Sequence, residues 1–117
     1  FSKVHLSGST GGRLIKVAAT ATTGTTIHAT GTSSSAIDEV WLYAVNTDTT
    51  DRKLTIEFGG TSSPDDLIEY TVKAENGLYL IVPGLLLSGT GSAARTITAF
   101  AATANVVLIG GYVNRIS

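Results

Sequence analysis

His5 and His28 are the only imidazoles in the chain, and cysteine is absent. A metal site or a general base would need one of these rings to converge with Asp or Glu, and no such convergence follows from the spacing. His28 alternates beside Ile27 in a short strand pattern and reads as an exposed or hydrogen-bonded strand residue. Asp48 with Asp51, and Asp65 with Asp66, offer carboxylates of the kind calcium accepts together with loop carbonyls. Turn formation is the commoner use of aspartate in such surroundings and is the reading favoured here. Serine and threonine abound, but a nucleophile needs an adjacent base and an oxyanion site, and neither Gly-x-Ser-x-Gly nor Ser-x-x-Lys is present. Gly89-Thr90-Gly91-Ser92-Ala93-Ala94 fits the Gly-x-Gly-x-x-Ala form of a dinucleotide-binding turn. That turn works where a helix begins, with an acidic residue about twenty positions on. Here Arg95-Thr96-Ile97-Thr98 is strand-like and no such acid follows, so a plain loop is expected. These residues predict no enzyme, no metal site and no cofactor.

Trp41, Tyr43, Tyr70, Tyr79 and Tyr112 are the remaining chemical resource. A row of exposed rings is the usual device of a small β-sandwich that binds sugar, whereas rings in a core or a subunit interface serve packing. Alternation puts Trp41 and Tyr43 on one face of a strand expected to be central, which favours packing.

The elements that must position these rings are strands. Residues 38–60 are the centre of the pattern. Residues 40–45 are apolar on both faces, as in a strand covered on each side. Leu54, Ile56 and Phe58 then alternate with Lys53, Thr55 and Glu57. The polar segment 46–51 between them predicts a hairpin. Upstream, residues 1–12 read as a flexible arm, tied down only if Val4 and Leu6 find neighbours. Residues 13–21 follow as a strand with Ile15, Val17, Ala19 and Ala21 inward, and residues 25–29 as a short one.

Downstream, residues 59–66 form a long turn. Residues 67–73 and 78–82 are expected as a second hairpin closed at Glu75-Asn76-Gly77. Leu85-Leu86-Leu87 reads as a short buried strand or an inward-packed loop. Residues 95–101 and 106–113 close the chain, with Gly110-Gly111 marking a bulge or a close backbone approach. Residues 99–104, rich in Ala, have a helical alternative. The class is all-β: an antiparallel β-sandwich, jelly-roll or Greek-key-like, of about eight strands over residues 13–117, behind an arm over 1–12.

At 117 residues the chain is one domain that buries roughly two-thirds of its unfolded surface. A net charge of −1 with 15% charged residues gives nucleic acid no basic face, so no nucleic-acid partner is expected. The longest apolar run, near residues 78–87, is broken by Pro83-Gly84 and falls short of the ~20 residues of a membrane helix, so no membrane partner is expected either. The chain opens on Phe1-Ser2-Lys3 without an initiator Met or a signal-type apolar region, and a short processed beginning is expected.

Several stretches taken together carry a resemblance. They are Phe1-Ser2-Lys3-Val4, Leu6-Ser7-Gly8-Ser9, Gly12-Arg13-Leu14-Ile15-Lys16-Val17-Ala18, Asp38-Glu39-Val40-Trp41-Leu42-Tyr43-Ala44-Val45-Asn46, Leu54-Thr55-Ile56-Glu57-Phe58-Gly59-Gly60, Ala99-Phe100-Ala101-Ala102 and Gly111-Tyr112-Val113-Asn114-Arg115-Ile116. Over nearly its whole length the chain resembles small proteins encoded among the virion genes of tailed bacteriophages. The resemblance implies a virion structural component, a capsid decoration or cement protein. Such a protein is made in the host cytoplasm and sits on the outer surface of the head, where it binds the major capsid protein and itself, commonly as a trimer. It carries no catalytic motif. Phe1, Lys3, Val4 and Leu6, in the arm, are the expected partner-binding residues. A tail or head-fibre β-module and a carbohydrate-binding sandwich are the alternatives.

Overall fold

The computed structural model describes residues 1–116. They form nine strands: β1 (Ser2–His5), β2 (Ile15–Lys16), β3 (Thr25–Ala29), β4 (Ile37–Asn46), β5 (Arg52–Phe58), β6 (Leu67–Val72), β7 (Tyr79–Ser88), β8 (Thr96–Ala101) and β9 (Val107–Ile116). A five-stranded sheet runs β1-β9-β4-β7, with β2 also paired to β9, and a four-stranded sheet runs β3-β8-β5-β6. Every pairing between named strands is antiparallel.

Alternation in β4 explains the layering. Asp38, Val40, Leu42, Ala44 and Asn46 are buried, while Ile37, Glu39, Trp41, Tyr43 and Val45 are half-buried on the other face. The inward set meets Val107, Ile109, Val113 and Val82 from its own sheet, and Ile27, Leu54, Ile56, Val72 and Ile97 from the other. Burying that many branched side chains between two sheets is the main stabilising term.

Neither expected hairpin forms. β4 and β5 lie in different sheets, so residues 46–51 make an arch across the sandwich. Asn46 pins it from inside: its Nδ2 donates to the carbonyls of Thr50 and Val72, at 2.9 and 3.0 Å, and its Oδ1 accepts from the Asp48 amide. β6 and β7 likewise separate, with positive φ at Glu75 and Gly77. The hairpin that does form is β5–β6, through the long turn at residues 59–66. The strand expected over 13–21 shortens to two residues. Ile15 and Val17 point inward as expected, but the chain then leaves the sheet, and Ala19 is half-buried and Ala21 exposed.

The arm is built in from Ser2 to Leu6. β1 pairs with β9 over four residues, and Leu6 is 1% exposed. Val4 faces Val113 and packs against the core, which supplies the apolar neighbours that hold the segment. Gly110-Gly111 is a close approach: a Cβ on Gly111 would run into the Trp41 carbonyl, and Leu14 lies over Gly110. Over residues 99–104, where helix was the alternative, 99–101 belong to β8 and 102–104 bend and turn.

Candidate functional site

His28 and Asp38, ten residues apart, meet inside the sandwich. His28 Nε2 lies 2.7 Å from Asp38 Oδ2, and His28 Nδ1 accepts the Ser7 amide at 3.0 Å. With Nδ1 accepting, the ring proton sits on Nε2 and is donated to the carboxylate. Arg115 donates to the same carboxylate through Nε and Nη2, at 2.8 and 3.0 Å. Burial pushes the Asp38 carboxyl up, but the hydrogen bonds from Arg115 and His28 outweigh it and hold it below the usual range. Both ring nitrogens are engaged and His28 is 0% exposed, so the group works as a clasp joining β3, β4, β9 and the segment after β1. The expected hydrogen-bonded role of His28 is found, and the exposed one is not.

Asp48 and Asp66 serve their own turns, while Asp51 ties the 46–51 segment to residue 74. Asp48 accepts from the Thr49 amide and from Arg52, Asp51 from the Ala74 amide, and Asp66 from the Ser62 amide. Among the described residues no group of three or more His, Cys, Asp or Glu is placed to hold a metal. The glycine-rich segment 89–94 is a loop whose Gly89 and Gly91 amides donate to the Ser33 and Thr32 carbonyls, and no helix begins there.

What the fold presents outward is the other face of β4. Three rows cross the five-stranded sheet on that side. In the first, Leu14 over Gly110 adjoins Tyr43 and Leu80; in the second, His5, Tyr112, Trp41 and Pro83 follow one another; in the third, Lys3, Asn114, Glu39 and Leu86. Trp41 and Tyr112 lie with ring planes 13° apart and centroids 6.2 Å apart, and the Lys3 ammonium sits 4.9 Å over the Tyr112 ring. Glu39 Oε1 accepts from both Trp41 Nε1 and Asn114 Nδ2, at 3.0 and 2.8 Å. The Asn114 Oδ1 is the one buried polar side-chain atom without a hydrogen bond among the described residues. The expectation that Trp41 and Tyr43 share a face is met, but that face is the outer one, and among the described residues no second layer covers it.

Along β7, Leu80 and Leu86 continue this face, paired with Tyr43 and Glu39. Tyr79 and Leu85 pair with the inward Ala44 and Val40 and turn to the other side of the sheet, where Tyr79 stacks on Tyr70 with centroids 5.1 Å apart. Leu78, Tyr79, Leu80, Leu85 and Leu86 make this edge apolar, with Leu86 at 58% exposure. The expected segment Leu85-Leu86-Leu87 is strand and Leu87 packs against the core, but Leu85 and Leu86 are exposed along the sheet edge, not buried. The signal was present in the sequence, since residues 76–94 contain no charge. Pro83 and two register shifts break the regularity of this edge, which opposes addition of another strand. The edge offers side chains instead.

Of the residues expected to bind a partner, Phe1 is 88% exposed and Lys3 reaches the outer face, while Val4 and Leu6 are turned into the core. Sequence reasoning missed Leu80, Leu86, Glu39 and Asn114, because the face they share depends on the pairing of β4 with β7 and β9. Comparison with protein-family models, curated proteins and solved structures finds no match.

Proposed function

We propose that the protein is a structural docking module, a bacteriophage capsid decoration protein. It lays the outer face of its five-stranded sheet on the major capsid protein and stabilises contacts between capsid subunits. The observation that carries the reading is the apolar aromatic face continuous with the uncharged β7 edge. Apolar patches of this kind on a small protein are surfaces awaiting a partner. With a rise of about 3.3 Å per residue and strands about 4.8 Å apart, the three ten-residue strands β9, β4 and β7 with the four-residue β1 beside them span at most about 33 by 19 Å, about 600 Å². That is below the roughly 800 Å² per partner of a standard interface and suits a contact that is weak in each copy. The resemblance to phage virion proteins supplies the identity of the partner and the expectation of a trimer. Several linked copies reinforce one another through effective concentration, so each contact is allowed to be weak. Low net charge removes long-range repulsion between copies side by side.

A sugar platform on the same face is the second reading, favoured by the near-parallel Trp41 and Tyr112. Against it, Lys3 occupies one face of Tyr112, and Glu39 is already committed to Trp41 and Asn114. The test is binding of the purified protein to expanded, empty heads of the phage that encodes it. Saturable binding that raises the temperature of head disruption is expected, and absence of binding removes the proposal.

A further inference from the structure

The opposite face of the molecule carries a buried carboxylate that no ion pair among the described residues explains. Glu57, on the outer side of β5, is 0% exposed and is held by neutral donors alone. Thr22 Oγ1 donates to Oε2, while the Gly24 amide and Thr98 Oγ1 donate to Oε1 at 2.8 and 2.5 Å. Burial pushes this carboxyl up, and the bonds from Thr22, Thr98 and Gly24 bring it below the usual range. Burying a charge is costly unless it is fully hydrogen-bonded, and what this one secures is the loop at residues 18–24. That loop is also held by Thr25 Oγ1, which accepts the Ala18 and Ala19 amides, and by the Ala19 carbonyl, which accepts the Ala101 amide.

The loop forms one wall of a cleft over the four-stranded sheet. Two adjoining hollows, of about 150 and 380 Å³, share Thr20, Glu69 and Phe100. The larger falls in the roughly 300–1,000 Å³ range of small-molecule clefts. Phe100 is half-buried in β8 and lines both hollows. Beside it Lys53 and Glu69 form an exposed ion pair at 3.1 Å, and Thr61 and Ser63 add hydroxyls at the far end.

We propose that this cleft binds a neutral oligosaccharide, with one pyranose ring laid on Phe100 and its hydroxyls on Glu69 and Lys53. A sugar hydroxyl both donates and accepts, and the Lys53–Glu69 pair presents one group for each role. Two carboxylates against one ammonium in the lining disfavour an anionic ligand. The Glu57 oxygens, taken by three donors, leave no set of free ligands for a cation. A wall fixed before binding lowers the ordering cost of capture. This site lies on the sheet opposite the proposed capsid-binding face and stands independently of that reading.

The test is a ¹H–¹⁵N NMR titration of the whole protein with cellotetraose, maltotetraose and chitotetraose at millimolar concentration. Shifts at Thr20, Thr22, Glu69 and Phe100 with at least one of these are expected. Phe100→Leu, and separately the exposed pair Lys53→Ala/Glu69→Ala, should each weaken binding about ten-fold, the scale of one lost ring or ion-pair contact. The double variant keeps the test valid should the Phe100 change disturb folding, and head binding should be unaffected by it. No shift with any of the three sugars, or shifts centred on Trp41 and Tyr112, overturns the proposal.

Discussion

Replacing Asp38 with Ala removes the centre of the clasp that joins the two sheets. His28 keeps an Nε2–H in a sealed site with no acceptor, which costs about 1–3 kcal/mol. Arg115 loses its carboxylate too, but its side chain is 37% exposed and turns to water, so that loss is about 1 kcal/mol or less. The sum is about 3 kcal/mol, and at roughly 4 °C per kcal/mol for a chain of this size the midpoint should fall by about 12 °C. Urea unfolding followed through Trp41, the single tryptophan, reads the change directly. pH adds a second test. Asp38 is held below the usual carboxylate range, so its contribution is complete above that range and is lost as pH falls through the lowered folded value. The gap between wild type and Asp38→Ala should therefore be full at about pH 7 and narrow towards about pH 3. A midpoint within about 2 °C of wild type, or a gap that does not change with pH, would refute the reasoning.

Glu57→Ala should destabilise by about 2–4 kcal/mol, because it strands the Thr22 and Thr98 hydroxyls and the Gly24 amide. Amide exchange at residues 18–24 should accelerate in that variant before exchange in β4 does. Removing residues 1–10 deletes β1, the buried Leu6 and the Ser7 amide bound to His28. Urea unfolding should show a loss of several kcal/mol, and an unchanged midpoint would contradict the placement of β1. Leu80→Lys with Leu86→Lys alters only exposed positions, so stability should stay within about 0.5 kcal/mol while occupancy on heads, read by sedimentation, falls sharply.

The class of the fold was legible from alternation and apolar runs: Leu54, Ile56 and Phe58 on one face, residues 40–45 apolar on both, and no helical period anywhere. Strand partnership was not. The polar segment 46–51 and Glu75-Asn76-Gly77 reverse the chain equally well within a sheet or between two, and the choice is made by distant pairings such as Trp41 with Tyr112 and Leu54 with Ala101. For the same reason residues 1–12 read as an arm. Ser2–His5 is too short to hold by itself, and its partner β9 lies over a hundred residues away. The outer face was half legible. Trp41 and Tyr43 sharing a side follows from period two, but whether that side is covered depends on the whole layer arrangement. The His28–Asp38–Arg115 clasp had no local signal, since its members come from three strands brought together only by folding.

The most direct measurement is a cryo-electron-microscopy map of heads saturated with the protein, at a resolution that shows sheet orientation. The outer face bearing Trp41, Tyr43, Tyr112, Leu80 and Leu86 should lie against capsid subunits, and the Leu80→Lys/Leu86→Lys variant should leave the same sites bare. Heads carrying no added density, or density in which that face points to solvent, would contradict the proposed role.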